Sequence, residues 1–149
     1  MYIFTEVTQE DGEIFDSWLK HENVKEWMSG IEDWFKYFEF ANSEPDYFLI
    51  KFLFENKIIG VIMLEITGET GSIAIIINPD EQNKGHGKKI LNLFLREINK
   101  IINRTVKSIY AGILPDNIAS KRCFESCGFE LKGIDEDGFM EYVYSIKYV

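Results

Sequence analysis

Residues 2–7 (YIFTEV) alternate apolar and polar side chains, which predicts a short strand. From Gln9 to about Phe40 the spacing turns helical. Ile14, Trp18 and His21, then Val24, Trp27 and Met28, then Ile31, Trp34, Phe35 and Phe38 recur at helical intervals, and Gly30 divides the run into separate helices. Two apolar runs, 46–55 and 57–66, flank a Glu-Asn-Lys turn and predict a hairpin, followed by a buried strand over 71–79 that Pro79 terminates. Ile90, Leu91, Phe94, Leu95, Ile98 and Ile102 then form one stripe at helical period, marking a long amphipathic helix. Residues 108–114 read as a further strand, and 116–129 as a capped helix ended by Gly128. Residues 129–134 and 140–149 close the chain as two strands around the polar turn DEDG. This order predicts a single α/β (α+β) domain over 1–149. Its expected sheet is mixed but mostly antiparallel, of about seven strands, with helices on both faces.

Composition narrows the function. A chain of 149 residues suits one buried core, and 46% apolar with 28% charged residues is the balance of a folded protein. No run approaches the roughly 20 apolar residues of a membrane span, so no membrane association is expected. The N-terminal stretch lacks the basic and apolar regions of a secretory signal, and a cytoplasmic location is expected. Cys123 and Cys127 are the only cysteines. Four apart on a helix, they are poorly aimed for a disulfide and too few for a metal cage, so no metal is expected. A net charge of −9 argues against a nucleic-acid partner. It suits a cationic small molecule or a basic peptide, and equally a protein that is simply soluble.

One stretch departs from the acidic background. In NPDEQNKGHGKKI (78–90), Lys84, His86, Lys88 and Lys89 crowd around Gly85 and Gly87 where a strand gives way to a helix. The first turn of a helix offers unpartnered N–H groups and partial positive charge, and glycines let the main chain approach an anion. The stretch would serve as a phosphate cradle, and it would also suit an ordinary exposed turn. It matches neither G-x-x-x-x-G-K-[ST] nor the dinucleotide pattern G-x-G-x-x-G, whose last position is held by Ile90.

Thirty residues beyond Gly87 comes NIASKRCFESCGF. Gln82, Gly85 and Gly87 in the pattern Q-x-x-G-x-G, followed by Asn117, Ser120, Gly128 and Phe129 in N-x-x-[AS]…G-F, resemble the GNAT superfamily of N-acetyltransferases. The order of elements is similar from end to end, and the resemblance implies that fold, with splayed central strands. It implies acetyl-CoA as cofactor. The pyrophosphate would be held by main-chain N–H groups of Asn83, Lys84, Gly85, His86, Gly87 and Lys88 beside Gln82. The pantetheine arm would lie along Ile75, Ile76 and Ile77, with Asn117, Ser120 and Phe124 toward its far end. The reaction implied is direct acetyl transfer to a primary amine, with a backbone N–H near Ile76 steadying the oxyanion.

Two positions depart from the family's commonest pattern. Phe124 stands where a general-acid tyrosine is frequent, and Gly112 where many members place a carboxylate. Tyr110 shares a strand face with Gly112 and could reach into the space it leaves, and Glu65 could act as a base through water; both are candidate catalytic groups, each with a plain structural reading beside it. The His86 ring is expected to point away from the cradle. Trp18, Leu19, Val24 and Trp27 carry a texture similar to the aminoglycoside 6′-N-acetyltransferase-like subgroup of amine acylators. Glu22, Glu26, Glu32 and Asp33 could line an acidic acceptor pocket or form a solvated face. The acceptor expected is a small cationic amine, an aminoglycoside-like compound or a peptide amine, and the protein a monomer or homodimer. The alternative is a non-catalytic acyl-CoA binding module or sensor.

Overall fold

The computed structural model describes residues 1–147. Seven strands form one mixed sheet in the order β1-β2-β3-β4-β5-β7-β6. β1 (Tyr2–Glu6) runs antiparallel to β2 (Tyr47–Phe54), with Tyr2 opposite Phe54. β2 turns into β3 (Lys57–Thr67) through Glu55 and Asn56, whose φ values of 52° and 66° are those of the two-residue turn that matches strand twist. Val61 to Leu64 are all buried, which is why β3 reads as a continuous apolar run rather than an alternating one. β4 (Thr70–Ile77) runs parallel to β5 (Ser108–Ile113) over Thr70–Ser72. β5 is antiparallel to β7 (Met140–Ser145), and β6 (Glu130–Ile134) pairs with β7 through a register shift between Leu131 and Gly133. The last strand, expected to reach residue 149, ends at Ser145; residues 148–149 lie outside the described chain.

Two compact units make up the chain: Met1–Met63 with Ile75–His86, and Leu64–Ala74 with Gly87–Val149. The first holds α1 (Gly12–Lys20), α2 (Glu22–Lys25) and α3 (Trp34–Ser43). The long helical stretch expected up to Phe40 is interrupted at 26–33, so Trp27, Met28 and Ile31 belong to no helix. Asp33 explains the restart: its side chain accepts from the N–H groups of Phe35 and Lys36 and caps α3. Trp18, Val24 and Trp34 of the expected stripe are buried, but Ile14 and Phe35 are exposed. Phe15, outside the expected stripe, is fully buried against Trp34 with ring centroids 4.9 Å apart, and that aromatic contact sets the inward faces of α1 and α3. Lys51 closes on the buried Asp11 at 2.6 Å, and the Thr8 N–H donates to the same carboxylate oxygen.

In the second unit α4 (His86–Ile102, its first residue belonging to the other unit) buries all six residues of its apolar stripe. Each such side chain stabilises the fold by about 1.5–3 kcal/mol relative to exposure. α5 (Ile118–Ser126) starts at Asn117, whose Oδ1 accepts from the Ser120 N–H at 3.2 Å, and is closed by Gly128 at φ 97°. No helix among the described residues is long and apolar enough to cross a membrane.

Candidate active site

The glycine stretch is built by three local constraints. Asn78 ends β4 by accepting from the Asp80 N–H and donating its amide to the Ile58 carbonyl, and Pro79 opens one tight helical turn. Gln82 then donates Nε2 to the Ile77 carbonyl at 3.3 Å, holding the loop to the strand it left. Asn83 and Gly85 take positive φ values of 64° and 83°, and the chain enters α4 at His86. The helix therefore starts inside the expected loop, with Gly87 in its first turn, where N–H groups have no intrahelical acceptor. A Cβ placed on Gly85 would meet nothing within 4 Å, so the loop is open on that side. An exposed, positively curved main chain feeding a helix N-terminus fits a pyrophosphate.

The side chains of this stretch are arranged differently from a simple basic patch. Glu81 accepts from Lys57 at 2.6 Å and from Lys84 at 3.1 Å, and faces His86 Nε2 at 3.5 Å. The two lysine hydrogen bonds, Lys57 first, hold the Glu81 carboxyl down at about 2. The His86 ring lies edge-on to Tyr2, with Nδ1 2.5 Å from the Tyr2 hydroxyl, and against Phe54. With Glu81 on the Nε2 side, the proton belongs on Nε2 and the Tyr2 hydroxyl donates to Nδ1. What His86 can offer an anion is its main-chain N–H. Lys88 and Lys89 are exposed and form no ion pair among the described residues.

β4 supplies Ile75, Ile76 and Ile77, of which Ile76 is buried and its neighbours half-buried. Gly60 on β3 permits the approach of this segment: a Cβ there would stand 2.8 Å from the Ile76 carbonyl oxygen and 3.3 Å from the Phe52 ring. Strand spacing at Ile76 thus depends on the absence of one methyl group.

In the second unit, Ile109, Ala111 and Ile113 of β5 and Tyr142 of β7 face the core. Tyr110 and Gly112 take the opposite face, and a Cβ on Gly112 would lie 3.2 Å from the Tyr110 hydroxyl oxygen. The hydroxyl has moved into the space the glycine leaves. Burial first, then the charges of Glu141 and Asp135, raise the Tyr110 pKa above its ordinary 10, so the group is a protonated phenol at neutral pH. Glu65 is exposed on β3, and no hydrogen bond or ion pair among the described residues ties it to Tyr110. Phe124 is buried against Phe129, ring centroids 4.8 Å apart, and offers no proton. Asn117 uses its carbonyl oxygen as the cap of α5, which leaves its amide N–H groups for another partner. Cys127 directs its thiol to the Lys88 carbonyl at 3.7 Å, while sharing a hydrogen bond with Cys127 and burial push the Cys123 thiol up. In the first unit Glu22, Glu26 and Glu32 are exposed, Asp33 is the cap of α3, and Trp18 packs into the core against Phe15.

A family model described as an acetyltransferase (GNAT) domain matches residues 2–130. The chain belongs to the GNAT acetyltransferase family. An N-acetyltransferase of Bacillus subtilis (strain 168), the uncharacterized YfmK, is 28% identical over 135 residues, 87% of each chain. Two solved acetyltransferases show the same fold. Spermidine N-acetyltransferase from Vibrio cholerae, in complex with CoA and spermine, matches 97% of this chain and 95% of its own at a TM-score of 0.84 and 17% identity. Aminoglycoside acetyltransferase AAC(6')-Ib, in complex with coenzyme A, matches 97% and 95% at a TM-score of 0.80 and 20% identity. Acetyl-CoA is the cofactor of the GNAT family. Sequence reasoning missed Glu81 as the carboxylate that gathers Lys57, Lys84 and His86, and Tyr2 as the partner of His86. Lys84 stands only three residues from Glu81, but the Lys57–Glu81 and Tyr2–His86 contacts join residues 24 and 84 positions apart, which no local motif encodes.

Proposed function

We propose that this chain is an acetyl-CoA-dependent N-acetyltransferase that passes the acetyl group directly to a primary amine of a small cationic or aminoglycoside-like compound or of a peptide. The observation that carries the reading is the open loop at Gly85 running into the first turn of α4, in a chain of this family. Main-chain N–H groups of Asn83 to Lys88 hold the pyrophosphate, with Lys88 adding charge. Ile75 to Ile77 present backbone partners to the pantetheine arm, the Asn117 amide is a further donor to the cofactor, and the Ile76 N–H steadies the oxyanion. Bound acetyl-CoA supplies an activated acetyl thioester. Tyr110, protonated and placed in the gap at Gly112, donates to the departing sulfur. The acidic surface, −9 overall, agrees with a cationic acceptor and no nucleic acid.

Calorimetry with acetyl-CoA tests the cradle: wild type should bind at micromolar concentration, and Gly87→Val should lose most of that affinity. Intact binding in the variant would show that the cradle lies elsewhere. The second reading, a non-catalytic acyl-CoA module, is favoured by Phe124, which fills the usual tyrosine position with a core ring. Thiol release across a panel of amines separates the two, since a module would bind cofactor tightly and turn over none of them.

A further inference from the structure

β5 and β7 are antiparallel, and their register sets Gly112 directly opposite Glu141 and Tyr110 opposite Val143. Residues opposite each other on antiparallel strands project to the same face with Cβ atoms about 4.5–5.5 Å apart. The Glu141 carboxylate therefore shares the face that Gly112 leaves bare and that the Tyr110 hydroxyl occupies. It leans toward β6, where Glu141 Oε2 lies 4.0 Å from the point a Cβ of Gly133 would take. The other charged group nearby, Asp135, is engaged by the β6–β7 turn, its Oδ1 accepting from the N–H groups of Asp137 and Phe139. Glu141 has no such duty. It is half-buried, and among the described residues its carboxylate forms no hydrogen bond and no ion pair. A carboxylate with no cation beside it keeps its charge available to a cationic ligand that reaches this face.

We infer that Glu141 is the catalytic carboxylate of the transfer, holding the acceptor's ammonium group and taking its proton in place of the carboxylate absent at Gly112. The inference rests on the acetyl-transfer reading above and adds the residue that receives the amine. In the step it implies, Glu141 takes one proton from the ammonium group. The freed nitrogen forms the C–N bond to the acetyl carbon as the C–S bond breaks, and the Tyr110 hydroxyl gives its proton to the leaving sulfur. The second proton of the nitrogen returns to the Tyr110 oxygen, and the proton on Glu141 passes to solvent. Amide, thiol and one released proton balance the ammonium and thioester consumed. Tyr110 and Asp135 are the titratable groups facing Glu141; Gly133, its neighbour on β6, carries none.

The test compares wild type, Glu141→Gln and, as a control on the same hairpin, the exposed Glu136→Gln, with spermidine and propylamine as probes. Glu141→Gln should lower kcat/KM about 100-fold or more near neutral pH and flatten the acidic limb of its pH profile, with acetyl-CoA affinity and far-UV circular dichroism unchanged. Glu141→Asp should recover part of the rate, and Glu136→Gln all of it. A readout independent of turnover is the Tyr110 ring followed by NMR in tyrosine-labelled protein, whose titration should move to lower pH in Glu141→Gln. Activity within twofold of wild type and an unmoved Tyr110 titration in Glu141→Gln would overturn the assignment. A wild-type protein that binds acetyl-CoA and acetylates neither probe nor any other amine would instead overturn the underlying reading, and the role of Glu141 with it.

Discussion

Replacing Gly60 with alanine probes how the oxyanion segment is positioned. The added methyl carbon would lie 2.8 Å from the Ile76 carbonyl oxygen, 3.2 Å from Ile77 Cδ1 and 3.3 Å from Phe52 Cε2. Ile77 could swing its terminal methyl aside, but Phe52 is fully buried and the Ile76 oxygen belongs to the backbone, so β4 itself must move. Overpacking of this kind costs about 1–3 kcal/mol. Gly60 has no left-handed backbone requirement, so alanine recovers about 0.4–1 kcal/mol by restricting the unfolded chain. The net loss is then about 0–2.6 kcal/mol, and its midpoint of about 1.3 kcal/mol is equivalent to a Tm lower by about 3–5 °C for a chain of this size. Because the displaced carbonyl belongs to Ile76, whose N–H on the adjoining peptide is the one proposed to steady the oxyanion, kcat should fall more than stability alone explains. Thermal unfolding, calorimetry with acetyl-CoA and turnover should be run beside Gly30→Ala, whose Cβ meets nothing within 4 Å and which should be neutral. A Gly60→Ala protein with wild-type Tm and kcat would refute the claim that close β3 approach positions Ile76.

His86→Ala removes the tie between the loop and β1, and acetyl-CoA affinity should fall about fivefold, the worth of roughly one hydrogen bond, with Tyr2→Phe acting in the same direction by calorimetry. Glu81 has a folded pKa of about 2 against an ordinary 4.5, so its stabilising contribution is full above about 4.5 and is lost as pH falls through about 2. Acid titrations followed by circular dichroism should therefore show a shallower decline across that window in Glu81→Gln. Lys51→Met strands the buried Asp11 carboxylate, and urea unfolding should report a loss of about 3–5 kcal/mol, largely restored when Asp11→Asn is added.

Much of this molecule was legible in the sequence because its signals are local. The Glu55-Asn56 hairpin, the six-residue stripe of α4, the Asn117 cap and the Gly128 stop each depend on neighbours within a few positions, and each stands where the pattern put it. The helical reading of 26–33 failed because Trp27, Met28 and Ile31 are half-buried without being helical, and apolar spacing alone cannot tell the two apart. The phase of α1 was decided by Phe15 meeting Trp34, a contact between separate helices. Glu141 was invisible for a similar reason. In MEYVYS it is one polar residue in an alternating strand, and only the β5–β7 register sets it opposite Gly112.

The same distinction resolves the charge of the glycine stretch. As sequence, Lys84, His86, Lys88 and Lys89 form a basic island in a chain of net charge −9. As structure, Lys84 is bound to Glu81 together with Lys57, and His86 is turned toward Tyr2, so two of the four serve to shape the loop. Lys88 and Lys89 remain exposed beside the first-turn N–H groups of α4. At physiological ionic strength charges separated by more than about 8 Å are largely screened, so an anion at the loop responds to these near groups and little to the acidic surface. A cationic amine at Glu141 would respond to an unpaired carboxylate at equally short range. Two reactants of opposite charge can thus be served by one acidic chain, provided each meets its complement locally. In the proposed reading the anion meets backbone amides, and the cation meets a carboxylate that no lysine among the described residues pairs with.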